Sequence, residues 1–182
     1  MNLGKIVKIK TGVFAKPIPD GSISYLHAKH FDELGNLVSL PTPELEEDQL
    51  VAKHLLRSGD VLFAAKGARN FATVYTSEIP AVASTTFFVL SCDKSQLLPE
   101  YLAWKLNHPS TLNLLQRSAI GSSLVSIPKM LLEDIEITIP SIEKQLLVIE
   151  INRLSKKENN LRTRITELRQ EKIRQQIAGA VK

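Results

Sequence analysis

From Ser141 onward the chain contains no proline and a single glycine, Gly179, and no other stretch constrains the fold as much. Ser141 is a good helix N-cap, and Glu143 falls in the first turn, where the helix dipole favours a carboxylate. The pattern predicts one helix over Ile142–Ile177, whose 36 residues would run roughly 54 Å at 1.5 Å per residue. Leu147, Ile151, Leu154, Leu161, Ile165 and Leu168 follow alternating steps of four and three, with Glu158 in the one missing place. Beyond Leu168 the seam loses register, because Lys172 and Gln175 take the next places while Ile173 and Ile177 sit one or two residues off. An apolar stripe this narrow, on a helix longer than a small domain, needs another helix to cover it. A coiled coil between chains or between repeats meets that need; a tail helix folded along its own domain is the competing reading.

Charge divides at the same place. Residues 1–140 hold 13 Lys and Arg against 14 Asp and Glu, and residues 141–182 hold 10 against 5, so the net charge of +4 belongs to the tail. A basic face on the first part therefore requires its cations to be segregated from the acidic run Glu44, Glu46, Glu47 and Asp48, itself read as a solvated face. With 182 residues, 43% hydrophobic and 23% charged, the chain has the makings of one globular domain plus the helix, without the bias of disorder or of a disulfide scaffold. Cys92 is the only cysteine, which excludes an internal disulfide and a multi-cysteine zinc site and fits a reducing compartment. No uncharged run approaches the ~18–20 apolar residues of a membrane span. The N-terminal residues lead into Lys8 and Lys10 and not into an apolar segment, so a cytoplasmic protein without membrane contact is expected.

Residues 1–140 contain short stretches rich in β-branched and aromatic residues, bounded by turn formers. Lys5–Lys10, Ile23–His27, Leu50–His54, Asp60–Ala65, Phe71–Thr76, Ala81–Cys92 and Asp134–Ile139 read as strands. Helices are expected to start at Pro99 and Pro109, where a first-turn proline sacrifices no hydrogen bond, the second ending near Gly121. The fold class is α+β: a β-rich domain over 1–140, then the long helix over 141–182.

Catalytic signatures are missing. There is no GxxxxGK(S/T) phosphate loop, no GxGxxG after a strand and no GxSxG elbow, and Asn107-His108-Pro109-Ser110 lacks the second proline and the aromatic of an adenine-flipping loop. His27 and His30 are three apart where a strand runs into a turn, so they read as a solvated or hydrogen-bonded pair and no metal site is expected. Asp60 reads as the closure of the Ser58-Gly59-Asp60 turn.

Two segments carry the chemistry of nucleic-acid recognition. Lys66-Gly67-Ala68-Arg69-Asn70 follows a strand and offers a cation for phosphate, a guanidinium for guanine and an amide for adenine, of which Lys66, Arg69 and Asn70 are the candidates. Arg117-Ser118-Ala119-Ile120-Gly121-Ser122-Ser123 offers a cation, hydroxyls and backbone N–H groups about a glycine, the equipment for gripping phosphate. Arg117, Ser122, Ser123 and Lys129 are the candidates for backbone contact, with Lys8, Lys10, Lys16, Lys53 and Arg57 as further basic positions. An ordinary polar surface loop and a plain helix C-cap are the competing readings of the two segments.

The order of these words also resembles a known family. Arg57-Ser58-Gly59-Asp60-Val61-Leu62-Phe63-Ala64-Ala65-Lys66-Gly67 is similar to the Gly-Asp-(Ile/Val)-Leu strand of type I restriction-modification specificity subunits. Gly121-Ser122-Ser123-Leu124 through Ile127-Pro128-Lys129 resembles their end-of-domain segment, and Tyr101-Leu102-Ala103-Trp104-Lys105-Leu106 their aromatic-rich helix. Ile137-Thr138-Ile139-Pro140-Ser141-Ile142-Glu143-Lys144-Gln145 resembles their Pro-x-x-Glu-x-Gln lead into a long helix, the most specific of the four. The resemblance implies a target recognition domain that reads a half-site in double-stranded DNA, joined to a spacer helix. It further implies partner methyltransferase and restriction subunits, with S-adenosylmethionine and the adenine chemistry on the methyltransferase and no cofactor on this chain. A complete specificity subunit has two such domains and two helices, so this chain resembles a half-subunit or a portion of a longer one. A natural half would form a homodimer through its helix and read a palindromic bipartite site. The competing class is a protein-interaction adaptor that oligomerises through its coiled coil without binding DNA.

Overall fold

The computed structural model describes residues 1–32, 35–39, 41–67, 69–118 and 126–180. The chain divides into two units, Met1–Gln145 and Leu146–Lys182. Among the described residues of the first, strands β1 (Val7–Thr11), β4 (Val61–Ala64), β5 (Ala72–Val74) and β7 (Phe87–Cys92) make an antiparallel sheet in the order β1-β7-β4-β5. Strands β2 (Ile23–Leu26), β3 (Pro43–Leu45) and β6 (Ala81–Ala83) make a second, ordered β3-β2-β6, in which β2 and β6 run parallel.

Sequence pattern explains these places. The unbroken apolar run Val61-Leu62-Phe63-Ala64 suits a strand covered on both faces, and β4 is buried at every position. At the sheet edge, β1 alternates: Val7 and Ile9 are buried, Lys8 and Lys10 exposed. Leu62, Phe71, Tyr75, Phe87 and Val89, from the first sheet and its flanks, pack with Leu26, Phe31, Ala81 and Ala83 in one core. Within it Phe31, Phe71 and Phe87 meet with ring centroids 5.6–6.1 Å apart.

Helices α2 (Pro99–Asn107) and α3 (Pro109–Ser118) begin at the two prolines read from the sequence. α2 buries Tyr101, Leu102, Ala103 and Leu106 and packs on β4 and β5. At its last residue the Asn107 amide takes the outer edge of β5: Oδ1 accepts from the Ala72 N–H at 2.7 Å and Nδ2 donates to the Ala72 carbonyl at 2.7 Å.

Three strand expectations change. Leu50–His54 lies in a helix, α1 (Gln49–Lys53), because the Asp48 carboxylate caps it, accepting from the Leu50 and Val51 N–H groups at 2.9 and 2.7 Å. The single strand expected over Ala81–Cys92 breaks at Ser84 into β6 and β7 of different sheets, where Val13 bridges to Ser84 and donates to the Ala83 carbonyl at 2.9 Å. Asp134–Ile139 forms only one bridge, Glu136 to Asn2, although Ile135 and Ile137 are buried and Glu136 and Thr138 exposed as their alternation predicts. The short helix before it, α4 (Lys129–Glu133), and β3 were not expected.

The long helix, α5, runs Ile142–Ala180, three residues further than its pattern predicts. Its first turn belongs to the first unit, where Gln145 is wholly buried. Gln145 Oε1 accepts from the Leu98 N–H at 2.9 Å, and Nε2 donates to the Gln96 and Pro140 carbonyls at 2.8 and 2.9 Å. These bonds give the glutamine of the Pro-x-x-Glu-x-Gln sequence a structural reason. In the second unit, Glu150–Arg153, Glu158–Arg162, Arg164–Glu167 and Glu171–Arg174 pair locally along the helix, exposed pairs that add little to stability. No described helix is long and apolar enough to cross a membrane.

Candidate nucleic-acid interface

β4 delivers the chain to Lys66 under tight restraint. The Ala65 and Lys66 N–H groups both donate to the Thr86 carbonyl, at 2.9 and 3.3 Å, the Ala65 carbonyl accepts from Ile127 at 2.9 Å, and Lys66 bridges to Ser126. Gly67 then takes φ +126°, a conformation that side chains resist. After this reversal Lys66 and Arg69 are both exposed. Asn70 instead turns inward and is only 8% exposed. Its Nδ2 donates to the Ala64 carbonyl at 3.0 Å and its Oδ1 accepts from Gln116 Nε2 at 3.3 Å. The amide that could read adenine is thus spent on closing its own loop.

A contributor absent from the sequence reading is Lys29. A 3-10 turn, Ala28–His30, comes up to the loop, so that Ala28, Lys29, Gly67, Arg69 and Phe71 line one shallow cavity of about 200 Å³. Behind Lys29 the His27 N–H donates to His30 Nδ1 at 3.1 Å, which is the hydrogen-bonded pair expected of these histidines. Burial first, and then the Lys29 charge, push both imidazoles below their ordinary pKa, with Glu44 opposing.

The second predicted segment meets the same loop through its ends. Gln116, which bonds Asn70, is followed by the exposed Arg117 in the last turn of α3. Ser126, which bridges to Lys66, leads to Lys129 at the start of α4. Lys129 Nζ lies 3.2 Å from Glu133 Oε1, both side chains being well exposed at 44% and 37%, so the pair is worth little and a phosphate can compete for the ammonium. Ser122 and Ser123, with the rest of 119–125 and the expected helix end at Gly121, lie outside the described residues.

Among the described residues no three metal-ligating side chains come together. Burial pushes the half-buried Cys92 thiol up to about 11, which keeps it protonated and unreactive at neutral pH. What the loop, the turn and the flanks of 119–125 assemble is a set of exposed cations at one end of the sheet. Such a set can neutralise phosphate and present a guanidinium to a base edge.

No family model matches the sequence, and no curated protein matches it. Solved structures do. A chain from work on complex assembly and conformational transition in the type I R-M system superposes with a TM-score of 0.64 at 18% identity, over 88% of this chain and 38% of that one. The HsdS subunit from Thermoanaerobacter tengcongensis gives 0.62 at 17% identity, over 87% and 37%. The type I restriction-modification S subunit from M. genitalium gives 0.58 at 14%, over 85% and 37%. The chain therefore has the fold of type I restriction-modification S subunits, over a little more than a third of their length.

Proposed function

We propose that this chain is a non-catalytic DNA-specificity module of a type I restriction-modification system. Its first unit reads a half-site in double-stranded DNA. Lys66 and Arg69 meet base edges or phosphate, Asn70 positions them, and Lys29, Arg117 and Lys129, together with Ser122 and Ser123, hold the backbone. Its helix pairs with that of a second copy through Leu147, Ile151, Leu154, Leu161, Ile165 and Leu168, giving a homodimer that reads a palindromic bipartite site. Adenine methylation, with its S-adenosylmethionine, and restriction belong to partner subunits. The observation that carries the reading is the S-subunit fold combined with exposed Lys66 and Arg69 on a loop locked at the end of β4.

Adenine methylation mapped genome-wide, in a host carrying the cognate methyltransferase with and without this gene, tests it. A two-part palindromic motif modified only when the gene is present is the expected result. Identical methylation in the two hosts, with an active methyltransferase, overturns the proposal in favour of an adaptor.

A further inference from the structure

Five basic side chains scattered between residues 8 and 57 line a second, larger cavity, of about 500 Å³, within the first unit. The alternation of β1 puts Lys8 and Lys10 on one side of the strand, and pairing with β7 sets them opposite Ser91 and Val89, which line the same cavity. Lys53 and His54 come from the end of α1 and Arg57 from the turn before β4. Lys10 Nζ donates to the Lys53 carbonyl at 3.3 Å, tying strand to helix. The one carboxylate in the lining, Asp60, is already used on both oxygens: Oδ1 accepts from Ser91 Oγ at 2.6 Å and Oδ2 from the Arg57 N–H at 2.8 Å. Among the described residues no carboxylate forms an ion pair with Lys8, Lys10, Lys53 or Arg57. The cavity therefore carries an uncompensated positive charge in a partly enclosed place, which also depresses the His54 pKa through Lys10 and Lys53, after burial.

We propose that this cleft is a second contact to the DNA backbone, sequence-independent and separate from the loop Lys66–Asn70; the inference rests on the DNA-reading function proposed above. Asp60 and Lys66 lie beyond opposite ends of β4, whose four residues alone span about 13 Å at ~3.3 Å per residue. The cleft thus meets phosphates outside the bases that the loop reads. Lys8 and Lys10 are about 7 Å apart along β1, the scale on which one DNA strand carries its charges at about 3.4 Å of rise per nucleotide. Composition favours phosphate over an acidic protein segment. The lining has three lysines and no Phe, Tyr or Trp, whereas protein interfaces are poor in lysine and rich in those three.

The test is fluorescence anisotropy of the full chain on mixed-sequence duplex DNA over a range of salt, with sequence preference read by selection from a randomised duplex pool. Lys8→Ala/Lys10→Ala should flatten the log–log salt slope by about 1.8, which is about 0.9 for each phosphate no longer neutralised, and leave sequence preference unchanged. Lys5→Ala/Lys144→Ala removes the same charge elsewhere and should leave the slope alone. A wild-type slope in the cleft variant, with Arg69→Ala still relaxing sequence preference, overturns the cleft and leaves the half-site reading standing. The same slope with loss of methyltransferase capture assigns the cleft to an acidic protein partner, which also overturns it. A wild-type chain without salt-dependent DNA affinity removes the functional reading itself, and the cleft with it. All four lysines are exposed, and Arg57→Ala, expected to flatten the slope by about 0.9, gives an independent measurement.

Discussion

Arg69 and Asn70 are neighbours whose side chains go opposite ways, and substitution should separate their roles. Arg69→Ala is expected to relax sequence preference and cost about 1–3 kcal/mol of specific binding. Asn70→Ala leaves the Ala64 carbonyl and the Gln116 amide without their partner, so it should lower stability by about 1–3 kcal/mol in urea titration. If Asn70→Ala were as stable as the wild type, its inward bonds would not be holding the loop. Lys129→Ala should instead weaken binding to all sequences alike, seen as a flatter salt slope with unchanged preference. The histidines make a separate prediction. His27, His30 and His54 all sit below the ordinary imidazole value of 6.5, first through burial and then through Lys29, or through Lys10 and Lys53. On acidification the unfolded chain protonates these rings before the folded chain does, so their contribution is intact above pH 6.5 and declines below it. Urea midpoints should fall as pH drops through that value, and a rise would contradict the assignment.

At the scale of elements, patterns that depend on neighbours in the chain were legible and those that depend on distant contacts were not. β4 declared itself by an apolar run, β1 by alternation, and α2 and α3 by their prolines. Leu50-Val51-Ala52 reads equally well as a buried strand until the Asp48 cap is given its weight, and that cap was a missed local signal. The break at Ser84 had none, because Ser84, Thr85 and Thr86 are all acceptable in a strand and the interruption is set by Val13, some seventy residues earlier. The candidate site divides the same way. A glycine hinge after a strand pointed to Lys66 and Arg69, whereas the inward turn of Asn70 and the arrival of Lys29 depend on Gln116 and on the turn Ala28–His30. Gln145 was visible as a motif letter without a role. Its buried amide joins the start of α5 to the segment before α2 through Leu98 and Gln96 and bonds Pro140 as well, so Gln145→Ala should destabilise the first unit by about 1–3 kcal/mol, measured by urea unfolding. A loss below about 0.5 kcal/mol, at the low end for one ordinary hydrogen bond, would mean that water replaces the amide there.

At the scale of the whole molecule, the second unit poses the problem of its own surface. All six seam residues are 48–60% exposed in the single chain, an amount of apolar surface that a helix bearing only local ion pairs leaves to a partner. The proposed pairing predicts that Leu154→Lys or Leu161→Lys, by placing charge in the seam, reduces the mass in light scattering to that of one chain. An unchanged mass would remove the coiled coil. The four-stranded sheet of the first unit meets other copies under different terms. Edge strands invite further strands, and proteins guard them. By occupying both main-chain groups of Ala72, Asn107 closes the β5 end of the sheet at that residue. Crowding the molecules together can therefore promote association between helices without seeding a ribbon of sheets through Ala72, because one asparagine at the end of a short helix already holds that place.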